Sequence, residues 1–282
     1  MSDERTSLAR RIARGARAAL RRSPPGRLLE RRRLLRAAAG WTPADQAMRS
    51  FYAAIAVPGV LVFDVGANVG NRTKVFLRLG ARVVAVEPQP GCASLLAEAF
   101  AGEPRLTLVR EALGDAIGDA EMTLSDASTI SSMSPGWIAA VRRSGRFAAY
   151  RWDRTVTVPV TTLDRLIERH GVPAFVKIDV EGFEREVLRG LSAPLPALSF
   201  EFTPEWSEAA FACLAHLESL GPHRFNYSFG ETLRLESEAW LDAEQVRARI
   251  AALHGDARAF GDVYARCDRA RRAGAPAGVG GA

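Results

Sequence analysis

The chain has 282 residues, 48% of them hydrophobic, and 38 Lys and Arg against 32 Asp and Glu give a formal net charge of +6. That length and apolar fraction exclude a disordered or fibrous chain and allow one large domain, or two small ones, around a real core. Cys92, Cys213 and Cys267 lie far apart without a CxxC pair, which excludes a disulfide framework and a cysteine zinc site and fits a reducing, cytoplasmic compartment.

The charge is concentrated. Arg5 through Arg36 form an arginine-dense segment, and Arg269, Arg271 and Arg272 begin the C-terminal tail. Such clusters suit anionic lipid, nucleic acid or acidic glycan without choosing among them. Arg10, Arg11 and Arg14 mimic the start of an export signal, but no apolar run follows before Arg21 and Arg22, so no signal peptide is expected. No stretch is long enough to span a bilayer. Leu8 to Leu20 alternates apolar and basic residues at helical spacing and reads either as a helix in peripheral contact with a membrane or as a solvated arm. The expected layout is a basic arm over 1–41, a folded domain over 42–268 and a disordered Gly-rich tail over 269–282.

Folded structure is expected to begin at Thr42-Pro43-Ala44-Asp45, which supplies an N-cap, a proline at the first helical position and an acid at the third. That helix runs through Phe51 and Tyr52 and ends before Pro58-Gly59. Strands are predicted at Leu61 to Val65, Arg82 to Val86 and Leu106 to Val109, with helices at Thr73 to Leu79 and Ser94 to Phe100 between them. This alternation argues for βαβ units and a parallel sheet. Residues 115–160 differ: a hairpin around Ala120 to Leu124, a Ser/Thr cluster, a basic and aromatic stretch and the period-two strand Thr155 to Val158 read as an insertion. Alternation resumes with helices at Leu163 to His170, Glu184 to Leu191 and Glu208 to Leu220, and strands at Phe175 to Val180 and Leu198 to Phe202. Arg224 to Phe229 and Thr232 to Leu235 are expected as antiparallel strands around Gly230, followed by a helix from Asp242 to Leu253 and a last strand at Asp262 to Ala265.

The first chemical signal is Val62-Phe63-Asp64-Val65-Gly66-Ala67-Asn68-Val69-Gly70, an apolar strand ending in an acid and a glycine-bearing turn into a helix. Glycine lets backbone approach a ligand where a Cβ would collide, and a helix start presents unpaired N–H groups. The spacing is G-x-x-x-G with an acid before it, not the G-x-G-x-x-G of dinucleotide sites, and favours a nucleoside with a charged amino-acid end over a pyrophosphate. About twenty residues on, a second strand ends at Glu87-Pro88, where a carboxylate can accept both ribose hydroxyls.

The second signal is Phe175 to Glu184. A central strand is usually apolar on both faces, yet Lys177, Asp179 and Glu181 share one face at period two. Burying Lys177 requires a carboxylate, expected to be Asp164 or Glu201, and the lysine reads either as part of a structural ion network or as a site residue. Asp179, near the carboxyl end of its strand and beside the switch point, is the leading candidate to face the reacting centre.

DVGANVGN (64–71), VVAVEP (83–88), EALGD (111–115), TTLDRL (161–166) and KIDVEGFEREVLRG (177–190) together resemble the FkbM-type methyltransferase family over about residues 60–205. The resemblance implies an α/β, Rossmann-like class I methyltransferase fold, a mostly parallel seven-stranded sheet of order 3-2-1-4-5-7-6 with helices on both faces. It also implies S-adenosylmethionine as methyl donor and a hydroxyl acceptor on a sugar, glycan or polyketide-type molecule. On the matching positions Asp64, Gly66, Asn68 and Gly70 surround the methionine part, Glu87 holds the ribose, and Glu111, Ala112 and Leu113 border the adenine; Ala67, Pro88 and Asp179 complete the donor-binding set.

Methyl transfer from a sulfonium is an in-line displacement helped by a positioned base. None of His170, His216, His223 and His254 sits in the motifs, so the expected base is a carboxylate, Asp179 first and Glu201 second, with Lys177 beside them. Asp179, Glu181 and Glu201 could instead hold a magnesium-like ion, a less favoured reading. The insertion is expected to cap the acceptor, with Trp137, Tyr150 and Trp152 stacking on a sugar among Arg142, Arg143, Arg146, Arg151 and Arg154, and with Ser131 and Ser132 turned inward. Two other readings stay open: a nucleic-acid methyltransferase using the basic arm, although no Asn-Pro-Pro-Tyr-like motif is present and no obligatory nucleic acid is implied, and a scaffold that binds donor without turnover.

Overall fold

A computed structural model describes residues 24–267. The predicted arm helix at Leu8 to Leu20 and the tail from Arg269 lie outside the described residues. Ordered structure starts earlier than Thr42, with α1 (Pro24–Ala39). Its Leu34 and Leu35 pack on Val69, Cys92 and Leu95, and Ala38 is buried. The arginine content masked this apolar stripe. Gly40 and α2 (Pro43–Tyr52) follow, α2 opening with the expected capping box between Thr42 and Asp45. Asp45 also pairs with Lys74 at 2.9 Å, and the same ammonium donates to the carbonyls of Ala37 and Gly40, which ties α1 to the core.

The βαβ alternation holds through β1 (Leu61–Val65), α3 (Asn71–Arg78), β2 (Arg82–Val86), α4 (Pro90–Ala99) and β3 (Leu106–Val109). After the insertion come α6 (Leu163–His170), β7 (Phe175–Ile178), α7 (Glu184–Arg189), β8 (Ala197–Phe202), α8 (Ser207–Leu220), β9 (His223–Phe229), α9 (Ala243–Ala251) and β10 (Gly261–Cys267). The central sheet has the order β3-β2-β1-β7-β8-β10-β9, with only β10 antiparallel to β8 and β9. Counting the strands of this sheet alone in chain order gives 3-2-1-4-5-7-6, the class I methyltransferase fold. One face is covered by α6 to α9 over Phe63, Val65, Leu166, Leu188 and Leu214, the other by α2 and α3 over Val62, Val83 and Phe175.

The insertion carries a second sheet, β4-β6-β5, built from β4 (Ala112–Leu113), β5 (Gly118–Ser125) and β6 (Trp152–Thr161). The hairpin expected at Ala120 to Leu124 is instead part of one continuous strand, β5, paired antiparallel to β6. Ala120, Met122 and Leu124 alternate at period two, the mark of an unbroken strand, and no tight-turn pair interrupts them. Between β5 and β6, α5 (Pro135–Ser144) packs its Trp137, Ile138 and Val141 on Ile130 and Trp152. Thr232 to Leu235 forms no strand: β9 takes β10 as its partner, and the loop after it, with Gly230 and Leu233 at positive φ, is held by Asn226 bonded to Ser237. No helix among the described residues is long and apolar enough to cross a membrane.

Candidate active site

The carboxyl ends of β1, β2, β7 and β8 open into a cavity of about 240 Å³ at the point where the sheet order reverses. Asp64, Gly66, Ala67, Asn68, Glu87, Pro88, Ala112, Leu113, Asp179 and Glu201 all line it. Three expected site residues do not. Gly70 turns toward Phe100 and Leu96, where a Cβ would come within 2.6 Å of the ring, so its glycine serves packing. Glu111 is drawn outward into an ion pair with Arg169 at 2.8 Å. Lys177 is fully buried behind the cavity floor.

At the β1 end, Gly66 adopts φ +82, and a Cβ there would sit 1.9 Å from the Asp179 carbonyl oxygen. The turn thus brings the backbones of β1 and β7 together as only glycine allows. Asp64, buried, accepts the Thr73 hydroxyl at 2.5 Å, and burial raises its pKa while that hydrogen bond opposes the rise. Glu87 accepts the backbone N–H of Asn68 at 2.7 Å through one oxygen and that of Gln89 at 2.8 Å through the other. Each bond uses one lone pair, which leaves both oxygens able to accept hydroxyls. The insertion closes over this end: the Gln89 side chain donates to the Ser128 carbonyl, and the Ser128 hydroxyl bonds Asn68.

Burial pushes the Glu87 carboxyl up to about 7, against the two backbone hydrogen bonds. An acid whose pKa is raised by folding favours the native state below its ordinary value of 4.5 and loses that contribution as pH climbs to about 7. Glu87→Gln, which cannot ionise, is therefore expected to gain in thermal midpoint relative to wild type as pH rises through this window. A constant gap between the two melting curves would contradict a buried, titrating Glu87.

At the β7 end the ion network differs from the one expected. Lys177 pairs with Asp262 at 2.7 Å and Asp179 at 3.3 Å, not with Asp164 or Glu201. The register explains the choice: Lys177 lies beside Ser199, whose small side chain lets the ammonium reach past β8 to β10, a strand whose proximity the sequence does not announce. Asp164 instead accepts the Ser192 N–H near the start of α6. Burial opposes the Lys177 charge, but Asp179 and Asp262 together hold it protonated well above the usual lysine range.

Sequence reasoning missed Arg72 and Glu231. Arg72 lies 3.3 Å from Asp179 and 3.3 Å from Glu231, and both line the cavity. A signal existed: an arginine in the first turn of α3 opposes the helix dipole and needs a local acid. Burial alone would raise the Asp179 carboxyl, but Lys177 and Arg72 hold it below the usual range. Glu201 goes the other way, raised by burial and by the charges of Asp179 and Glu181.

The aromatic residues of the insertion do not reach the cavity. Trp137 and Trp152 are buried in the core of the cap, Arg142 lies over the Trp152 ring, and Arg146 is paired with Glu205. For Trp137 and Trp152 packing away from water outweighed the sugar-stacking role expected of them, while Tyr150 is exposed and does not line the cavity. Ser131 lines the cavity; Ser132 does not, and its hydroxyl donates to the Glu181 carbonyl at 2.6 Å.

Asp179, Glu181 and Glu201 bring carboxylate oxygens within 4.8 Å of one another. Asp179 already faces two cations, Lys177 and Arg72, so a divalent ion there would meet like charge, and the donor set does not fit a metal centre. The other half of the cavity does fit a nucleoside sulfonium. Glu87 offers free acceptor capacity, and Leu113 and Phe183 supply apolar surface.

The chain matches the family model described as the methyltransferase FkbM domain over residues 64–236. It is 30% identical over 143 residues to the hexuronic acid methyltransferase AglP of Haloferax volcanii, covering 50% of this chain and 53% of that protein, so it spans about half the length of that relative. Among solved structures it is similar to an O-methyltransferase from Bacillus cereus in complex with SAH (TM-score 0.42, 10% identity, 86% of this chain and 90% of that one). It is also similar to a precorrin-6y C5,15-methyltransferase from Geobacter metallireducens GS-15 (TM-score 0.40, 12% identity, 78% and 88%). The matched span runs from Asp64, at the head of the cavity, past the Asp179 turn to the loop that carries Glu231, and the chain belongs to the FkbM methyltransferase family.

Proposed function

We propose that the chain is an S-adenosylmethionine-dependent O-methyltransferase acting on a hydroxyl of a sugar, glycan or polyketide-type small molecule. The observation that carries this reading is the cavity itself, which joins a half lined by Gly66, Glu87 and Leu113 to a carboxylate cluster at Asp179, Glu181 and Glu201. Glu87 would hold the ribose hydroxyls, the Asp64 to Asn68 turn the amino-acid end, and Ala112 with Leu113 the base. The bound donor supplies a methyl group activated on a positively charged sulfur. Asp179, fixed by Lys177 and Arg72, orients the turn, while the cluster as a whole receives the acceptor hydroxyl.

Because Lys177 and Arg72 already occupy Asp179, a chelator is expected to leave transfer unchanged. The direct test is transfer of labelled methyl from the donor to a panel of sugars and glycans. Uronic-acid-bearing glycans come first, since a hexuronic acid is what the name of the Haloferax relative specifies. Transfer to RNA or DNA with none to any sugar, or transfer abolished by chelation, would contradict this reading.

A further inference from the structure

Asp179 is poorly suited to take a proton, since two cations hold it ionised. Its neighbour Glu181 is placed differently. It lines the cavity within the same carboxylate cluster, yet among the described residues its side chain has no hydrogen bond or ion pair. Its backbone sits at φ +55, a conformation L residues rarely adopt and one that persists only where surrounding structure enforces it.

That enforcement comes from the cap and from α7. The Ser132 hydroxyl donates to the Glu181 carbonyl at 2.6 Å, and the Trp206 indole N–H donates to the Gly182 carbonyl at 3.1 Å. Glu184 accepts the N–H groups of Val180 and Gly182. The Trp137 ring lies so close to Gly182 that a Cβ would fall 2.2 Å from it. Held in this way, the turn presents to the cavity a carboxylate that is unpaired among the described residues.

Resting on the function proposed above, we infer that Glu181 is the group that accepts the proton of the acceptor hydroxyl, and that Ser132, Trp137 and Trp206 are its positioning residues. In the step, the acceptor oxygen forms a bond to the methyl carbon as the carbon–sulfur bond breaks and its electron pair stays on sulfur, leaving a neutral thioether. The hydroxyl proton passes to Glu181 and then to water. Glu181 is faced by Asp179 at the end of β7, Lys177 on β7, Glu184 on α7, Glu201 on β8 and Arg146 beyond α5. Burial and the Asp179 and Glu184 charges push its carboxyl well above the usual glutamate range, while Lys177 and Arg146 pull the other way.

The full chain, labelled with carbon-13 at its glutamate carboxyls, tests this by NMR titration, the Glu181 resonance being the one missing from Glu181→Gln. It is expected to titrate well above the ordinary glutamate value of 4.5; a midpoint at or below that value overturns the inference. In parallel, Glu181→Gln is expected to bind S-adenosylmethionine as wild type does while methyl transfer to the sugar panel falls by about 10²-fold or more and loses its rise with pH. Glu181→Asp is expected to recover part of the rate. Full transfer by Glu181→Gln overturns the assignment of Glu181 and leaves the proposed function standing. Failure of the wild-type chain to bind the donor overturns that function and this inference with it.

Discussion

Gly66→Ala is expected to abolish measurable donor binding and to lower stability. The added Cβ would lie 1.9 Å from the Asp179 carbonyl oxygen and 2.8 Å from its carbon, both backbone atoms of a central strand end that cannot yield as a side-chain tip can. The left-handed φ of +82 adds a conformational cost of about 1–2 kcal/mol. Either the turn moves away from β7, which opens the floor of the cavity, or β7 shifts and carries Asp179 with it. Gly91, in the first turn of α4, is the control: it has ordinary φ and open space around its Cβ direction, so Gly91→Ala is expected to bind donor normally and to gain up to about 1 kcal/mol. Calorimetric titration together with chemical denaturation reads both effects. Normal donor binding by Gly66→Ala would remove the turn from the donor site.

Lys177→Met is expected to cost about 3–5 kcal/mol, because it leaves Asp262 and Asp179 facing each other inside the sheet without their common cation. Among the described residues Asp262 has no other cation within ion-pair distance, and its hydrogen bond from Tyr264, at 3.4 Å, is long. Removing one of the stranded charges as well should recover much of the loss, so Lys177→Met with Asp262→Asn is expected to be more stable than Lys177→Met alone. A double-mutant cycle by denaturant unfolding measures the coupling. A loss below about 1 kcal/mol, or additive effects, would show that Lys177 is not bound into this network.

The strand sequence of the central sheet was legible because hydrophobic runs and turn signals are local. Leu61–Val65, Arg82–Val86 and Leu106–Val109 need only their own residues to be read, and Asp64, Gly66, Glu87 and Asp179 announce the cavity because polar residues at strand ends break an apolar pattern. What escaped was long-range. Asp262 lies 85 residues from Lys177, and only the antiparallel return of β10 beside β8 brings it close. Arg72 gains its role from Asp179 and Glu231, on segments distant in the chain. Composition misled at two places: arginines hid the Leu34 and Leu35 contact of α1, and the aromatic residues of the insertion looked like a binding surface although Trp137 and Trp152 form the core of the cap.

Calorimetric titration of the wild-type chain and of Glu87→Ala with S-adenosylmethionine and S-adenosylhomocysteine tests the proposed donor site most directly. Saturable binding of both ligands to wild type, lost in the variant while its fold remains, is the expected result. Absence of binding to wild type, or binding that does not depend on Glu87, would contradict it.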